Sequence, residues 1–76
     1  MALKKVTMNL TERDIANTEV LTTRLNTRNK ASTVSSALAI AEGITKKIED
    51  GGELIVKKKD GSMETIVIAG LSGANA

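Results

Sequence analysis

Lys5-Val6-Thr7-Met8-Asn9-Leu10 alternates polar and apolar residues without a break, and Thr11-Glu12-Arg13-Asp14 follows at once with the features of a helix start. A period of two puts Val6, Met8 and Leu10 on one face of a strand and Lys5, Thr7 and Asn9 on the other. The apolar face needs a cover. The polar face sets a cation, a hydroxyl and an amide in a row, a combination suited to phosphates and base edges. A short strand at the start of a largely helical chain must pair with something, and no good partner lies nearby in the sequence.

Working outward, Thr11 is an N-cap and Asp14 completes a Thr-x-x-Asp box. The helix that follows is expected from about Glu12 to Leu25, with Ile15, Ala16, Val20, Leu21 and Leu25 as its apolar stripe. Asn26-Thr27-Arg28-Asn29 reads as a turn. Asn29 is then the cap of a second helix, with Ser32 the competing choice. That helix carries Val34, Ala37, Leu38, Ala41, Ile44 and Ile48 at spacings of three and four. Gly43 interrupts it, so it either stops there or continues to about Glu49 at some cost in propensity. Gly51-Gly52 ends it in both cases.

Residues 53–68 read as a β-hairpin. Leu54-Ile55-Val56 and Ile66-Val67-Ile68 supply its arms, and Asp60-Gly61 is a two-residue turn signal. Residues 69–76 are small and weakly apolar and are expected to form a flexible tail. The division along the chain is therefore 1–50, 51–68 and 69–76.

With 76 residues the chain makes one small domain whose core is modest. Domains of this size usually need a staple. The absence of cysteine and histidine removes disulfides, the usual zinc ligands, the commonest general base and every thiol nucleophile. Association is the staple left, so a homodimer is expected. Aromatic residues are absent too, so the core is aliphatic and stacking on single-stranded bases has no platform. The formal charge is +2, unevenly placed: residues 1–31 hold six Lys/Arg against three Asp/Glu, and residues 50–76 hold three against four. The N-terminal part is the one to meet an anion. No apolar run reaches membrane-spanning length and no signal-peptide core follows Met1, which leads to the expectation of a cytoplasmic protein without membrane association.

The first strand has two possible partners, the C-terminal hairpin or its own copy in a second chain. In the second case two copies form an antiparallel ribbon about a dyad. Val6, Met8 and Leu10 of both chains face inward onto four helices, and Lys5, Thr7 and Asn9 of both face outward.

Over residues 4–44 this arrangement resembles the ribbon-helix-helix (MetJ/Arc-like) family of DNA-binding proteins. The resemblance rests on Lys4-Lys5-Val6-Thr7-Met8-Asn9-Leu10, on the capped helix after it, and on Asn29-Lys30-Ala31-Ser32-Thr33-Val34-Ser35-Ser36-Ala37-Leu38. It implies an α+β ribbon-helix-helix dimer, with an added C-terminal hairpin that is not part of the family core. It also implies a transcriptional repressor whose ribbon enters the major groove of double-stranded DNA, with Lys5, Thr7 and Asn9 on bases. Around the start of the second helix, the amides of Asn29, Lys30 and Ala31 would hold a phosphate. The glycine usual between the helices is absent; Asn26 or Thr27 stands there, and Asn tolerates the left-handed conformation.

The chemistry of these residues fits that role. Asn can pair with adenine through two hydrogen bonds, Lys can donate to guanine, and Thr can bond several base edges or touch a thymine methyl. Lys30 beside the Asn29 cap joins a cation to a helix N-terminus. Lys4 and Arg28, with Arg13 and Arg24, are candidates for sequence-independent attraction to phosphate. Lys57-Lys58-Lys59 reads as a guard against edge-to-edge pairing or as a second nucleic-acid contact. An alternative role is a protein-interaction module, such as an antitoxin-like protein that holds a protein partner through the hairpin. Enzyme chemistry has no support: the acids are scattered, no nucleophile stands by a base, and neither a metal nor a cofactor is expected.

Overall fold

The capping box at Thr11 forms as the sequence implies. In the computed structural model, which describes residues 2–71, Thr11 Oγ1 accepts from the Asp14 amide at 3.0 Å. The Asp14 carboxylate accepts from the Thr11 amide at 3.1 Å. Two of the four donors that a helix start leaves unpaired are thereby satisfied. Helix α1 spans Glu12–Arg24.

Its C-terminal end explains the turn. The Thr27 amide donates to the Thr22 carbonyl at 3.1 Å and the Asn26 amide to that of Thr23 at 3.2 Å. This paired closure requires a left-handed residue between helix and loop, and Asn26 supplies it with φ +53°. Asn carries this conformation at low cost because its short polar side chain bonds locally. Helix α2 spans Lys30–Glu49. Asn29 is its cap, with Oδ1 accepting from the Ser32 amide at 2.9 Å. The helix runs straight through Gly43. It closes as α1 does, with Gly51 in the left-handed role at φ +102° and the Gly52 amide on the Lys47 carbonyl at 3.0 Å.

Strands β1 (Leu54–Lys57) and β2 (Met63–Ile66) form an antiparallel pair in which Leu54 faces Ile66 and Lys57 faces Met63. The loop differs from the expected two-residue turn. Lys58 donates to the Ser62 carbonyl at 2.7 Å and Gly61 to that of Lys58 at 2.9 Å, with Gly61 at φ +93°. Lys59, Asp60 and Gly61 thus make a three-residue loop with a bulge. The second arm is also shifted: it holds Met63–Ile66 rather than Ile66–Ile68. In this register Ile68 would need Gly52 as its partner, and the Gly52 amide is already committed to the end of α2. Beyond β2 the chain turns back, the Leu71 amide donating to the Ile68 carbonyl at 3.2 Å. Of the expected tail, 72–76 lies outside the described residues.

The ribbon-helix-helix architecture is corrected by this element order. Residues 2–11 form no strand, and the sheet of the described residues is the hairpin, which follows both helices. The physical reason is hydrogen-bonding supply. A strand exists only where another strand accepts and donates its amide bonds, and β1 and β2 use each other. Residues 5–10 therefore remain without a ladder.

Packing divides the chain between Ser36 and Ala37, inside α2. In the first unit Thr33 is 1% exposed. In the second, Ile48 at 4% is the buried apolar residue, and Leu54, Ile66, Ile68 and Leu71 line a small cavity of about 200 Å³ with it. The stripe expected to bury α1 does not: α1 contains no buried residue, and Ile15 and Val20 are exposed. No helix among the described residues is long and apolar enough to cross a membrane.

Candidate nucleic-acid interface

The alternation of residues 5–10 survives in the structure although the strand does not. Val6, Met8 and Leu10 line a groove of about 520 Å³ in the first unit, together with Ile15 of α1 and Val34 of α2. Lys5, Thr7 and Asn9 are not among the lining residues, and all three are exposed. Both rows are exposed in the single chain, Val6 at 71% and Met8 at 62%, and what separates them is that the apolar row lines the groove. A peptide with one greasy and one wet edge behaves this way whenever an apolar surface is within reach.

Two cations stand at that groove. Lys4 precedes the alternating stretch and Lys30 opens α2, and both contribute to the groove lining with Ala31. The ion pairs of the described residues are Lys46–Asp50 at 3.9 Å and Lys58–Glu64 at 3.8 Å. Lys4 and Lys30 therefore carry unpaired charge.

The start of α2 adds donors to these cations. Asn29 spends its side-chain oxygen on the Ser32 amide, and its carbonyl takes the Thr33 amide at 3.0 Å. The amides of Lys30 and Ala31 occupy the first two helical positions, where no intrahelical acceptor exists. They point along the positive end of the helix dipole. Arg28 is exposed in the bend just before the cap. Lys4, Lys30 and Ala31 are gathered at the groove. Lys5, Thr7 and Asn9 lie on the same segment but away from it, and Arg28 and Asn29 flank the helix start.

What holds this helix start in place is a hydroxyl cluster that pattern reading passes over. Thr33 Oγ1 lies 2.7 Å from Thr22 Oγ1 and 2.9 Å from the Asn29 carbonyl, and it also bonds Thr27 Oγ1. Thr22 in turn donates to the Thr18 carbonyl at 2.7 Å. Thr33 donates to the Asn29 carbonyl and Thr22 to that of Thr18, so the three hydroxyl protons are shared over more contacts than they can fill at once. The cluster ties the last turns of α1 to the first turn of α2, which fixes the Asn29 cap and Lys30. The available signal was the spacing of Thr22, Thr27 and Thr33 across the turn, which apolar periodicity does not mark.

In comparisons with known proteins, the chain matches no family model, no curated protein and no solved structure.

Proposed function

We propose that the protein binds double-stranded DNA as a homodimer and represses transcription where it binds. The observation that carries this reading is that Val6, Met8 and Leu10 line the groove while Lys5, Thr7 and Asn9 do not. An amide, a hydroxyl and an ammonium in line match the donor and acceptor patterns of base edges in the major groove. Lys4, Arg28, Lys30 and the free amides at the start of α2 supply phosphate contacts that set position without reading sequence.

Homodimerisation is supported by burial. A single chain leaves Val6, Met8, Leu10, Ile15, Val20, Val34 and Leu38 exposed, and a small domain gains little stability from so thin a core. A second copy covering this apolar surface would bring together two sets of outward polar residues. Such a protein works in the cytoplasm, beside the DNA it regulates.

The test is a gel-shift titration of the full chain on DNA from upstream of its own gene against scrambled DNA of the same length, repeated over a salt series. The reading expects a specific complex whose affinity falls linearly with log salt. Equal affinity for both DNAs would remove the base-reading role, and no binding at low salt would remove the function altogether.

A further inference from the structure

Asp50-Gly51 and Asp60-Gly61 are the two Asp-Gly pairs of the chain. Such a pair carries a reaction of its own. The glycine amide nitrogen attacks the aspartic carboxyl carbon, a nitrogen–carbon bond forms, and the carboxyl hydroxyl leaves with the amide proton as water. The five-membered imide then takes up water at either of its carbonyls. Opening on one side restores aspartate. Opening on the other leaves isoaspartate, whose backbone runs through the side-chain carboxyl carbon and is longer by one carbon. Glycine favours the attack because no side chain shields its nitrogen.

The two pairs share their backbone setting. Both glycines are left-handed, at φ +102° and +93°. Both glycine amides are bonded, Gly51 to the Ile48 carbonyl at 3.0 Å and Gly61 to that of Lys58 at 2.9 Å. Their carboxylates differ. That of Asp60 accepts from the Ser62 hydroxyl and amide, and the Lys58 amide on the Ser62 carbonyl closes the loop around it. Among the described residues Asp50 has only Lys46 at 3.9 Å, with side chains 69% and 67% exposed, a pair that restrains little. Asp50 also stands in the closing turn of a helix, where local opening costs least.

We propose that Asp50-Gly51 is a site of imide formation and isoaspartate build-up, and that Ser62 keeps Asp60-Gly61 from the same fate. The consequence falls on the joint between α2 and β1. The Gly52 amide reaches the Lys47 carbonyl at 3.0 Å, and even a Cβ at Gly52 would lie 2.9 Å from that oxygen. An extra backbone carbon just before Gly51 is incompatible with so close a closure. Isoaspartate keeps a carboxylate, so charge is conserved and the change acts through geometry. With the closure lost, Leu54 is no longer held beside Ile48, the buried apolar residue of this unit. The inference does not rest on DNA binding.

The test ages the full chain at neutral pH and physiological temperature and digests it with trypsin. The two pairs then lie in different peptides, Ile48–Lys57 and the one that follows the Lys57-Lys58-Lys59 run. Electron-transfer fragmentation locates isoaspartate in each. It should build up at Asp50 about tenfold faster than at Asp60, the order that two net hydrogen bonds on the Asp60 carboxylate imply. In urea the two rates should converge. Ser62→Ala should speed Asp60 and leave Asp50 unchanged. Build-up no faster at Asp50 than at Asp60, a ratio that persists in urea, or an Asp60 indifferent to Ser62→Ala overturns the proposal. Amide exchange reads the consequence. The Gly52 amide should lose protection as the chain ages, while an Asp50→Glu chain, whose longer side chain closes such a ring poorly, should keep it. A Gly52 amide still protected in chains carrying isoaspartate at this position would overturn the assigned effect on α2.

Discussion

Thr33 and Thr22 share a 2.7 Å hydroxyl–hydroxyl hydrogen bond across eleven residues of chain. Thr33 is 1% exposed, so its oxygen has no water to fall back on. Thr33→Val keeps the shape and removes the hydroxyl, leaving Thr22 and Thr27 without their common partner. The expected loss is about 0.5–1.5 kcal/mol, the net worth of hydrogen bonding among half-buried hydroxyls, read as a lower urea midpoint with an unchanged slope.

Asn26 holds a left-handed conformation at φ +53°. Asn26→Gly should therefore be neutral or stabilising by a few tenths of a kcal/mol. Asn26→Val, with a branched Cβ against the following carbonyl, should cost about 1–2 kcal/mol. The pair of thermal midpoints checks this; a valine variant as stable as the parent would contradict the turn.

Gly43 lies inside α2, and a Cβ built there meets nothing within 4 Å. Gly43→Ala should stabilise the helix by roughly 0.5–1 kcal/mol. At Gly52 the added Cβ would come within 2.9 Å of the Lys47 carbonyl oxygen, so Gly52→Ala should destabilise. Circular dichroism melts of the two variants should move in opposite directions.

In the hairpin loop the Asp60 carboxylate accepts from the Ser62 hydroxyl at 2.7 Å and the Ser62 amide at 2.9 Å. These bonds hold its pKa below the ordinary aspartate value, the hydroxyl contributing most. A depressed folded-state pKa adds stability that is present above the ordinary value and is lost as pH falls through the lowered one. The loop should loosen only in acid. Ser62→Ala should move the Asp60 titration upward, as followed by carboxyl 13C shifts, and a titration that stays put would rule out the Ser62 hydroxyl as its main cause.

On DNA, Asn9→Ala should cost about 1–3 kcal/mol on the preferred sequence and little on scrambled DNA. Lys30→Ala should weaken both alike and lower the salt slope by about 1. A sequence-selective loss for Lys30 would contradict its phosphate role.

Local signals carried far in this chain. Thr11 and Asp14 form the box, Asn29 caps α2, and Asn26 takes the place of a turn glycine because each of these depends on a few neighbouring atoms. Of residues 5–10 the alternation picks out the three that line the groove, Val6, Met8 and Leu10, although all three stay exposed in the single chain. The strand itself was not, because alternation says nothing of where amide partners come from. The hairpin register escaped for a related reason. Ile66-Val67-Ile68 has the stronger β-propensity, yet the bulged loop and the commitment of Gly52 to α2 shift the ladder back to Met63–Ile66. Thr33 went unseen because apolar periodicity has no way to mark a hydroxyl that is buried by other hydroxyls.

The thin burial around Ile48 and Thr33 bears on calorimetry. Heat capacity rises on unfolding in proportion to the apolar surface newly exposed, and a lone chain that hides so little has little to expose. Dilute protein should melt over a wide temperature span with a small heat-capacity step. If the proposed homodimer forms, concentrated protein should melt more steeply, with a larger step and a midpoint that climbs with concentration. The scan at two loadings thus reports directly on how many chains it takes to make one folded unit.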